Sequence, residues 1–191
     1  DDLAAIGTLG FRGEALASIA SIGEVRIVSR RRDSHEGAEL AIADGRPTPV
    51  RAAGCPAGTT IEVANLFYNT PARRKFLKSS SAEFAHITEQ LTRIALAWPR
   101  LGLTLTHNGR AVRTLPAGQG QLDRIAALFG HELAEPLLHV DRDERGWRIH
   151  GWVARPQHAR ATGKWQYTFV NGRYVRDKFL LHAVKERSEE H

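Results

Sequence analysis

Residues 10–16 read Gly10-Phe11-Arg12-Gly13-Glu14-Ala15-Leu16, a glycine-punctuated loop that leads into a helical pattern. In residues 14–22 the apolar side chains recur with the i, i+3, i+4 spacing of a helix, at Leu16, Ile19 and Ala20. Glycines let a backbone approach a ligand closely, and the unpaired N–H groups at a helix start suit phosphate. The loop therefore fits an anion-binding site to which Arg12 adds a charged donor. The simpler interpretation is a turn in which Glu14 only favours the helix dipole.

The segments that follow alternate between strand and helix patterns. Strands are expected at residues 25–29, around residues 40–42 and at residues 59–67, where β-branched residues are frequent. Thr70-Pro71 has the form of a helix N-cap followed by proline at the first helical position. A long helix is expected from Ala82 to Ala97. Its predicted core-facing residues are Phe84, Ile87, Leu91, Ile94 and Leu96.

Two Asn-Gly pairs predict β-hairpins, because this dipeptide supplies the positive φ angles of a type I′ turn. Asn108-Gly109 lies between two strand patterns, and Asn171-Gly172 is followed by a short strand and a helix from about Asp177. Further strands are expected near residues 137–141 and 147–153. Both halves of the chain thus combine helices with largely antiparallel strands.

Residues 116–121 have the composition of a linker, Pro116-Ala117-Gly118-Gln119-Gly120-Gln121. We place a domain boundary here, which gives a first domain at residues 1–117 and a second at residues 118–191. The fold class expected from these patterns is α/β, an α+β sandwich with helices on one face of a sheet.

The composition is that of a globular protein. Of the 191 residues, 42% are hydrophobic and 25% are charged, and the net charge is +6. No apolar run approaches the roughly 20 residues that cross a bilayer, so we expect no membrane span. The lone Cys55 fits a reducing cytoplasmic setting, and the nine scattered histidines show no zinc-ligand spacing. Because methionine is missing even at position 1, we expect a fragment of a longer protein.

Four blocks resemble the MutL family of DNA mismatch-repair proteins. Residues 8–19, Thr-Leu-Gly-Phe-Arg-Gly-Glu-Ala-Leu-Ala-Ser-Ile, resemble its signature, and seven signature residues in succession are highly specific. Residues 58–63 and 66–77 resemble its glycine-threonine strand and the block after it, and residues 169–173 resemble a strand and turn of its second domain. The resemblance covers essentially the whole chain.

The resemblance implies the fold in more detail. Residues 1–117 would be the later part of a GHKL-type ATPase domain, including the ATP lid. Residues 118–191 would begin a ribosomal-protein-like β-α-β transducer domain. The wider ATPase group also includes type II topoisomerases, the ninety-kilodalton heat-shock chaperone and histidine kinases.

The same resemblance assigns binding residues for ATP. The lid backbone would wrap the phosphates through Gly10, Phe11, Arg12, Gly13, Glu14, Ala15 and Leu16. Thr59 or Thr60 would contact the adenine side, and we favour Thr59 because it directly follows the glycine. A hydroxyl can both donate and accept, which suits that role.

No catalytic residue and no metal ligand is assigned within this chain. In the resembled family a helical Glu serves as the base and a nearby Asn holds Mg²⁺, and both lie upstream of the lid. We therefore expect the intact parent to be an ATPase and this stretch alone not to hydrolyse ATP.

Basic clusters make DNA a plausible partner, although solvated charge is the default explanation for each cluster alone. The resemblance implies DNA binding without strong sequence preference, and we assign it to Arg173 and Arg176, with Arg73 and Arg74 second. It also implies a homodimer formed by ATP-driven N-terminal association. Its partners would further include mismatch-recognition proteins and downstream repair proteins. Its location would be cytoplasmic or, in bacteria, nucleoid-associated.

Two alternatives stay open at this point. One is a topoisomerase-like ATPase subunit, but the amino-acid sequences of the lid and of residues 69–74 argue against it. The other is a non-enzymatic DNA-binding clamp piece with a vestigial nucleotide site. The sequence upstream of Asp1 discriminates, because an intact helical Glu and Asn would support the enzyme.

Overall fold

The structure is a computed structural model that describes residues 14–158, 163–180 and 182. The chain divides into two compact units between Ser80 and Ser81, and each unit is described by itself. The predicted boundary at residues 117/118 rests on the linker composition of residues 116–121, and it stays a prediction.

The first unit is a five-stranded antiparallel sheet with two short helices. Its elements are α1 (Ala15–Ala20), β1 (Glu24–Arg30), β2 (Gly37–Ala43), β3 (Arg46–Pro47), β4 (Arg51–Ala53), β5 (Gly58–Ala64) and α2 (Pro71–Arg74). The strand order is β3-β2-β1-β5, and β4 pairs with the other end of β2. Ala20, Val25 and Val28 are the buried apolar residues described in this unit.

The second unit combines a long helix with three two-stranded antiparallel sheets. Its helices are α3 (Ser80–Ala97), α4 (Gln121–Phe129) and α5 (His131–Ala134). Its hairpins are β6 (Leu103–His107) with β7 (Arg110–Leu115), β8 (Leu137–Glu144) with β9 (Trp147–Ala154), and β10 (Thr168–Val170) with β11 (Arg173–Val175). Two 3₁₀ turns, Pro156–His158 and Gly163–Trp165, lie between β9 and β10. The predicted α/β class is confirmed.

The core of the second unit joins residues from both sides of position 117. Its buried residues are Ala95, Leu96, Leu115 and Leu128. Partly buried apolar residues pack around them: Leu103, Ile125, Phe129, Tyr167 and Phe169. Residues 116–118, which have linker composition, are tied back to this core because Gly118 N donates to Arg100 O at 2.9 Å.

The predicted extent of the long helix was close to the observed one, but its predicted core face was wrong in part. Leu96 is buried as expected, whereas Ile87 and Ile94 are 52% and 46% exposed. Thr92 and Ala95 are buried instead. Periodicity defines an apolar stripe, and the neighbouring elements decide which edge of that stripe is covered.

Both Asn-Gly predictions are confirmed. Asn108 and Gly109 have φ of 48° and 76°, and Asn171 and Gly172 have φ of 49° and 75°. Gly172 is also needed for space, because a Cβ there would lie 3.2 Å from Cζ2 of Trp98. The β10–β11 turn is therefore packed directly over the Trp98 ring.

Thr70 and Pro71 occupy the N-cap and first-turn positions of α2, as predicted. The Thr70 side chain makes no capping hydrogen bond, however, and its buried Oγ1 has no partner among the described residues. The Thr70 carbonyl accepts from Arg73 N at 2.9 Å and Arg74 N at 3.1 Å. Trp147 is 76% exposed beside the β8–β9 turn.

Arg124 of α4 is a fully buried arginine with 0% exposure. Its Nη2 donates to the carbonyls of Pro99, of Leu101 at 2.5 Å and of Pro116 at 2.9 Å, and its Nε donates to Pro99 O at 3.2 Å. One guanidinium thus satisfies three carbonyls from the turn after α3 and the segment after β7. Burial lowers the pKa of this guanidinium.

Tyr167 supports a pH prediction, because burial and the nearby Glu89 carboxylate raise its pKa to about 12, from 10.0. Its hydroxyl donates to Glu89 Oε2 at 3.4 Å. The raised pKa means that the folded state favours the neutral phenol, so its stabilising contribution is complete below pH 10 and is lost as the pH rises through 12. In an absorbance titration, Tyr167→Phe should remove a step near pH 12. An unchanged alkaline limb in that variant would contradict the assignment.

Within the described residues, no helix combines the length and apolarity needed to span a membrane.

Candidate functional site

The proposed lid lies partly outside the described residues, which exclude Gly10, Phe11, Arg12 and Gly13. Glu14, Ala15 and Leu16 are described and sit at the start of α1, where the Glu14 carbonyl accepts from Ser18 N at 2.9 Å. The predicted helix after the loop is confirmed. It has only six residues, so its dipole is small, and phosphate contacts in this region would rest on the loop backbone.

The carboxyl end of α1 is hydrogen-bonded to the block at residues 66–77. Ile22 O accepts from Phe67 N at 2.6 Å, and Ser21 O accepts from Asn69 Nδ2 at 3.0 Å. Ala20 O accepts from Gly45 N at 3.1 Å. Residues 20–22, which directly follow the first motif, are therefore adjacent in the fold to the block at residues 66–77.

Residues 65–68, which hydrogen-bond to the end of α1, include non-glycine residues with positive φ. Asn65 and Phe67 have φ of 50° and 64°. A bulky residue in this region costs about 1–3 kcal/mol, so surrounding contacts must hold it. Besides the Phe67 bond to Ile22, the Tyr68 hydroxyl donates to Asp44 Oδ1 and accepts from Asp44 N at 3.1 Å. Residues 65–68, which hold the carboxyl end of α1, thus form a turn that is fixed by hydrogen bonds.

The two candidate threonines of β5 lie on opposite faces of the sheet, because side chains alternate along a strand. Thr59 pairs with Ser29 of β1, and Thr60 pairs with Val28. Ser29 Oγ and Thr59 Oγ1 are 2.8 Å apart. Thr59 shares its face with Ile61 and Val63, which are 49% and 45% exposed.

The face that carries Thr60 is charged. Arg26 of β1 donates to Glu39 Oε2 at 2.7 Å and to Glu62 Oε2 at 3.0 Å, which bridges three strands. Hydrogen bonds to Glu39 and then Glu62 hold the pKa of the Arg26 guanidinium above its usual range. An apolar, hydroxyl-bearing surface suits a nucleobase better than this ion network does. The geometry therefore favours Thr59 over Thr60.

Two carboxylates near the site already have protein partners. Glu62 is paired with Arg26, and Glu24 Oε2 accepts from Asn65 Nδ2 at 2.9 Å. Among the residues that the structure describes, no group of three His, Cys, Asp or Glu side chains could hold a metal ion. The face of β5 that carries Thr59 therefore stays the candidate for the base side of a nucleotide.

The predicted DNA-binding arginines fall in both units. Arg73 and Arg74 form the last turn of α2 and are exposed. Arg173 begins β11 opposite Val170 and is half-buried, whereas Arg176 follows that strand and is exposed. Of Arg173 and Arg176, Arg176 is therefore the more accessible.

Comparisons with known proteins point to one family. The family model "DNA mismatch repair protein, C-terminal domain" matches residues 125–191. The MutL proteins of Neisseria meningitidis and Xanthomonas campestris are each 46% identical over 186 residues, which is 97% of this chain. The chain spans 28% and 30% of the lengths of these two relatives.

A solved structure gives the same answer. The Aquifex aeolicus MutL ATPase domain complexed with ADP matches with a TM-score of 0.76 at 30% sequence identity. The match covers 92% of this chain and 68% of that one.

Proposed function

Because this chain belongs to the MutL family of DNA mismatch-repair proteins, we propose that it is the central part of an ATP-dependent repair clamp. In this proposal the full-length protein binds and hydrolyses ATP, and residues 1–191 contribute the lid and one wall of the base pocket. The observation that carries it is the similarity to an ADP-complexed MutL ATPase domain over 92% of the chain. The 46% identity to MutL relatives favours this family over the topoisomerase-like alternative.

The proposed nucleotide contacts follow from the motif and from the sheet. Backbone amides of residues 10–16 would hold the phosphates, since a glycine loop exposes N–H groups without side-chain obstruction. Thr59 would lie at the adenine side, supported by its exposed hydroxyl and its apolar neighbours on β5. The anchored end of α1 would position the lid relative to the sheet.

Magnesium, when bound, would neutralise phosphate charge during hydrolysis. Its ligand and the general base are assigned to a part of the protein upstream of this chain. What residues 10–16 would do is bind and orient the triphosphate and exclude water from it. ATP would favour the closed clamp by binding it more tightly than the open one.

The assignment of hydrolysis makes a direct prediction. The full-length protein should release phosphate from Mg-ATP, and the isolated 191-residue chain should release none above background, because the base and the magnesium ligand are assigned to other parts of the full-length protein. Phosphate release is the measurement. Robust turnover by the isolated chain would refute the assignment, and a full-length protein that binds ATP without turnover would favour the vestigial-site alternative.

DNA binding is the second part of the proposal. The net charge of +6 and the exposed arginines favour phosphate contacts, which bind without sequence preference and weaken with salt. The assigned arginines are Arg173, Arg176, Arg73 and Arg74. Arg176 is the strongest of them because it is exposed at the end of β11.

Charge reversal at Arg176 is expected to weaken DNA binding of the full-length protein equally across sequences. Loss of one phosphate contact should reduce the slope of log K against log salt concentration by about 1. Arg110→Glu is a matched control, because it makes the same charge change at an exposed strand position of the same unit. If Arg176→Glu kept its affinity at low salt, or matched the control, Arg176 would leave the assignment.

The remaining parts of the proposal concern assembly. We assign to the full-length protein an ATP-driven homodimer through its N-terminal region, contacts with mismatch-recognition and downstream repair proteins, and a cytoplasmic location.

A further inference from the structure

The β10–β11 hairpin is short, and the assigned Arg176 directly follows its second strand. Each strand has three residues, and a two-stranded hairpin is at best marginally stable by itself. Arg176 is exposed and lies two residues beyond Tyr174 in the chain. The position of Arg176 therefore depends on the side-chain contacts that hold this hairpin in the second unit.

Helix α3 and the residue that follows it supply two of those contacts. The guanidinium of Arg93 lies over the Tyr174 ring, with 4.2 Å between its Cζ and the ring centroid. Just beyond the end of the helix, Trp98 packs against Gly172 in the turn of the hairpin. From the other strand, Phe169 meets Tyr174 edge-on, with 5.8 Å between the ring centroids. Tyr174 thus contacts both an arginine of α3 and an aromatic ring of β10.

The guanidinium of Arg93 is itself held by hydrogen bonding. Its Nε donates to Glu89 Oε1 at 3.2 Å, one turn earlier on α3, and the second Glu89 oxygen accepts from the Tyr167 hydroxyl at 3.4 Å. Only 24% of the Arg93 side chain is exposed, so water weakens its attraction to the ring less than at an open surface. Because α3 contributes to the core of the second unit, this contact ties Tyr174 to a packed element.

We propose that Arg93 is a positioning residue for DNA binding, which acts through Tyr174 to hold Arg176 in place for a DNA phosphate. This inference rests on the proposed function, in which Arg176 binds phosphate. A side chain on a hairpin that is already ordered does not have to be ordered when DNA binds, which favours association. Without the Arg93 contact, the entropy lost in ordering the end of β11 would oppose binding.

The test uses the full-length protein, a DNA duplex and dissociation constants measured over a series of salt concentrations. Arg93→Leu should weaken binding at low salt about three-fold, the change that a cation–π contact of ordinary strength corresponds to. Because the Arg176 contact is partly lost, log K should also depend less steeply on log salt concentration, as in Arg176→Ala. Arg110→Leu removes the same charge at an exposed position of β7 and should leave both quantities unchanged.

Conservative variants distinguish the ring contact from the fold of the hairpin. Arg93→Lys keeps a cation that can lie over the ring, and Tyr174→Phe keeps the aromatic face, so both should retain most of the affinity. Tyr174→Leu breaks the same contact from its other side and should weaken binding as Arg93→Leu does. A loss in Arg93→Lys as large as that in Arg93→Leu would contradict a role for the cation over the ring.

A double-mutant cycle separates positioning from a direct contact of Arg93 with DNA. In an Arg176→Ala background, Arg93→Leu should cause no further loss of affinity, because Arg93 acts only through the position of Arg176. A loss that persists in that background, or an unchanged affinity in Arg93→Leu, would overturn the inference while DNA binding through Arg176 stood. If Arg176→Ala bound DNA as the wild type does, the proposed role of Arg176 would fail, and this inference with it.

Discussion

Replacing Arg124 by leucine is expected to lower the free energy of unfolding of the second unit by about 3–5 kcal/mol. The leucine would fill part of the volume but could not donate to the carbonyls of Pro99, Leu101 and Pro116. These hydrogen bonds are partly buried, and a shielded acceptor left without a partner costs about 1–3 kcal/mol. Such a loss is a large fraction of the stability of an ordinary domain.

Chemical denaturation followed by tryptophan fluorescence measures this in the 191-residue chain. All four tryptophans lie at or beyond residue 98, so their emission reports on the second unit. Arg110→Leu makes the same substitution at an exposed position and should shift the midpoint little. Arg124→Lys keeps the charge without the planar fork and should fall between the two. A midpoint for Arg124→Leu equal to that of the control would contradict this structural role.

The second large effect is expected at the lid. Gly13→Val in the full-length protein should weaken ATP binding about 100-fold, because a branched side chain would separate the loop backbone from the phosphates. The estimate corresponds to the loss of one or two hydrogen bonds to a charged group, each worth about 1.5–3 kcal/mol. Direct titration with a fluorescent ATP analogue gives the affinity.

Gly54→Val is the matched control for the lid variant. Gly54 does not have a positive φ, and a Cβ added there meets nothing within 4 Å. This variant should therefore fold and bind ATP as the wild type does. Equal affinities for Gly13→Val and Gly54→Val would remove residues 10–16 from the nucleotide site.

The turns were the most predictable part of the fold. Asn108-Gly109 and Asn171-Gly172 require positive φ at both positions, and that demand is local, so the dipeptide alone locates the hairpin. The Arg145-Gly146 turn between β8 and β9 has the same backbone, with φ of 52° and 79°, yet arginine carries no such signal. Local chemistry predicted a turn only where the residue type requires it.

Burial was harder to predict because it depends on neighbours that are distant in sequence. The apolar pattern of α3 correctly placed Leu96 inside, but it also placed Ile87 and Ile94 there, whereas Thr92 and Ala95 are the residues buried beside Leu96. Arg124 is buried, although an arginine in an amphipathic helix usually indicates a solvated face. Three carbonyls that converge on its guanidinium explain its burial, and no local pattern contains them.

In the candidate site, too, local features were predictable and features that depend on strand pairing were not. Strand alternation alone requires Thr59 and Thr60 to lie on opposite faces, but the sequence does not say which face is apolar. The Arg26 network with Glu39 and Glu62 marks the charged face, and the opposition of Ser29 and Thr59 depends on the β1–β5 register. That register pairs residues about thirty positions apart, so the sequence alone did not predict that Ser29 lies beside Thr59.

In the proposed nucleotide site the backbone of residues 10–16 holds the triphosphate, and a structure of the full-length protein with a non-hydrolysable ATP analogue tests this most directly. Backbone nitrogens of this segment are expected within about 3 Å of phosphate oxygens. An ordered analogue whose phosphates lie far from residues 10–16 would contradict it.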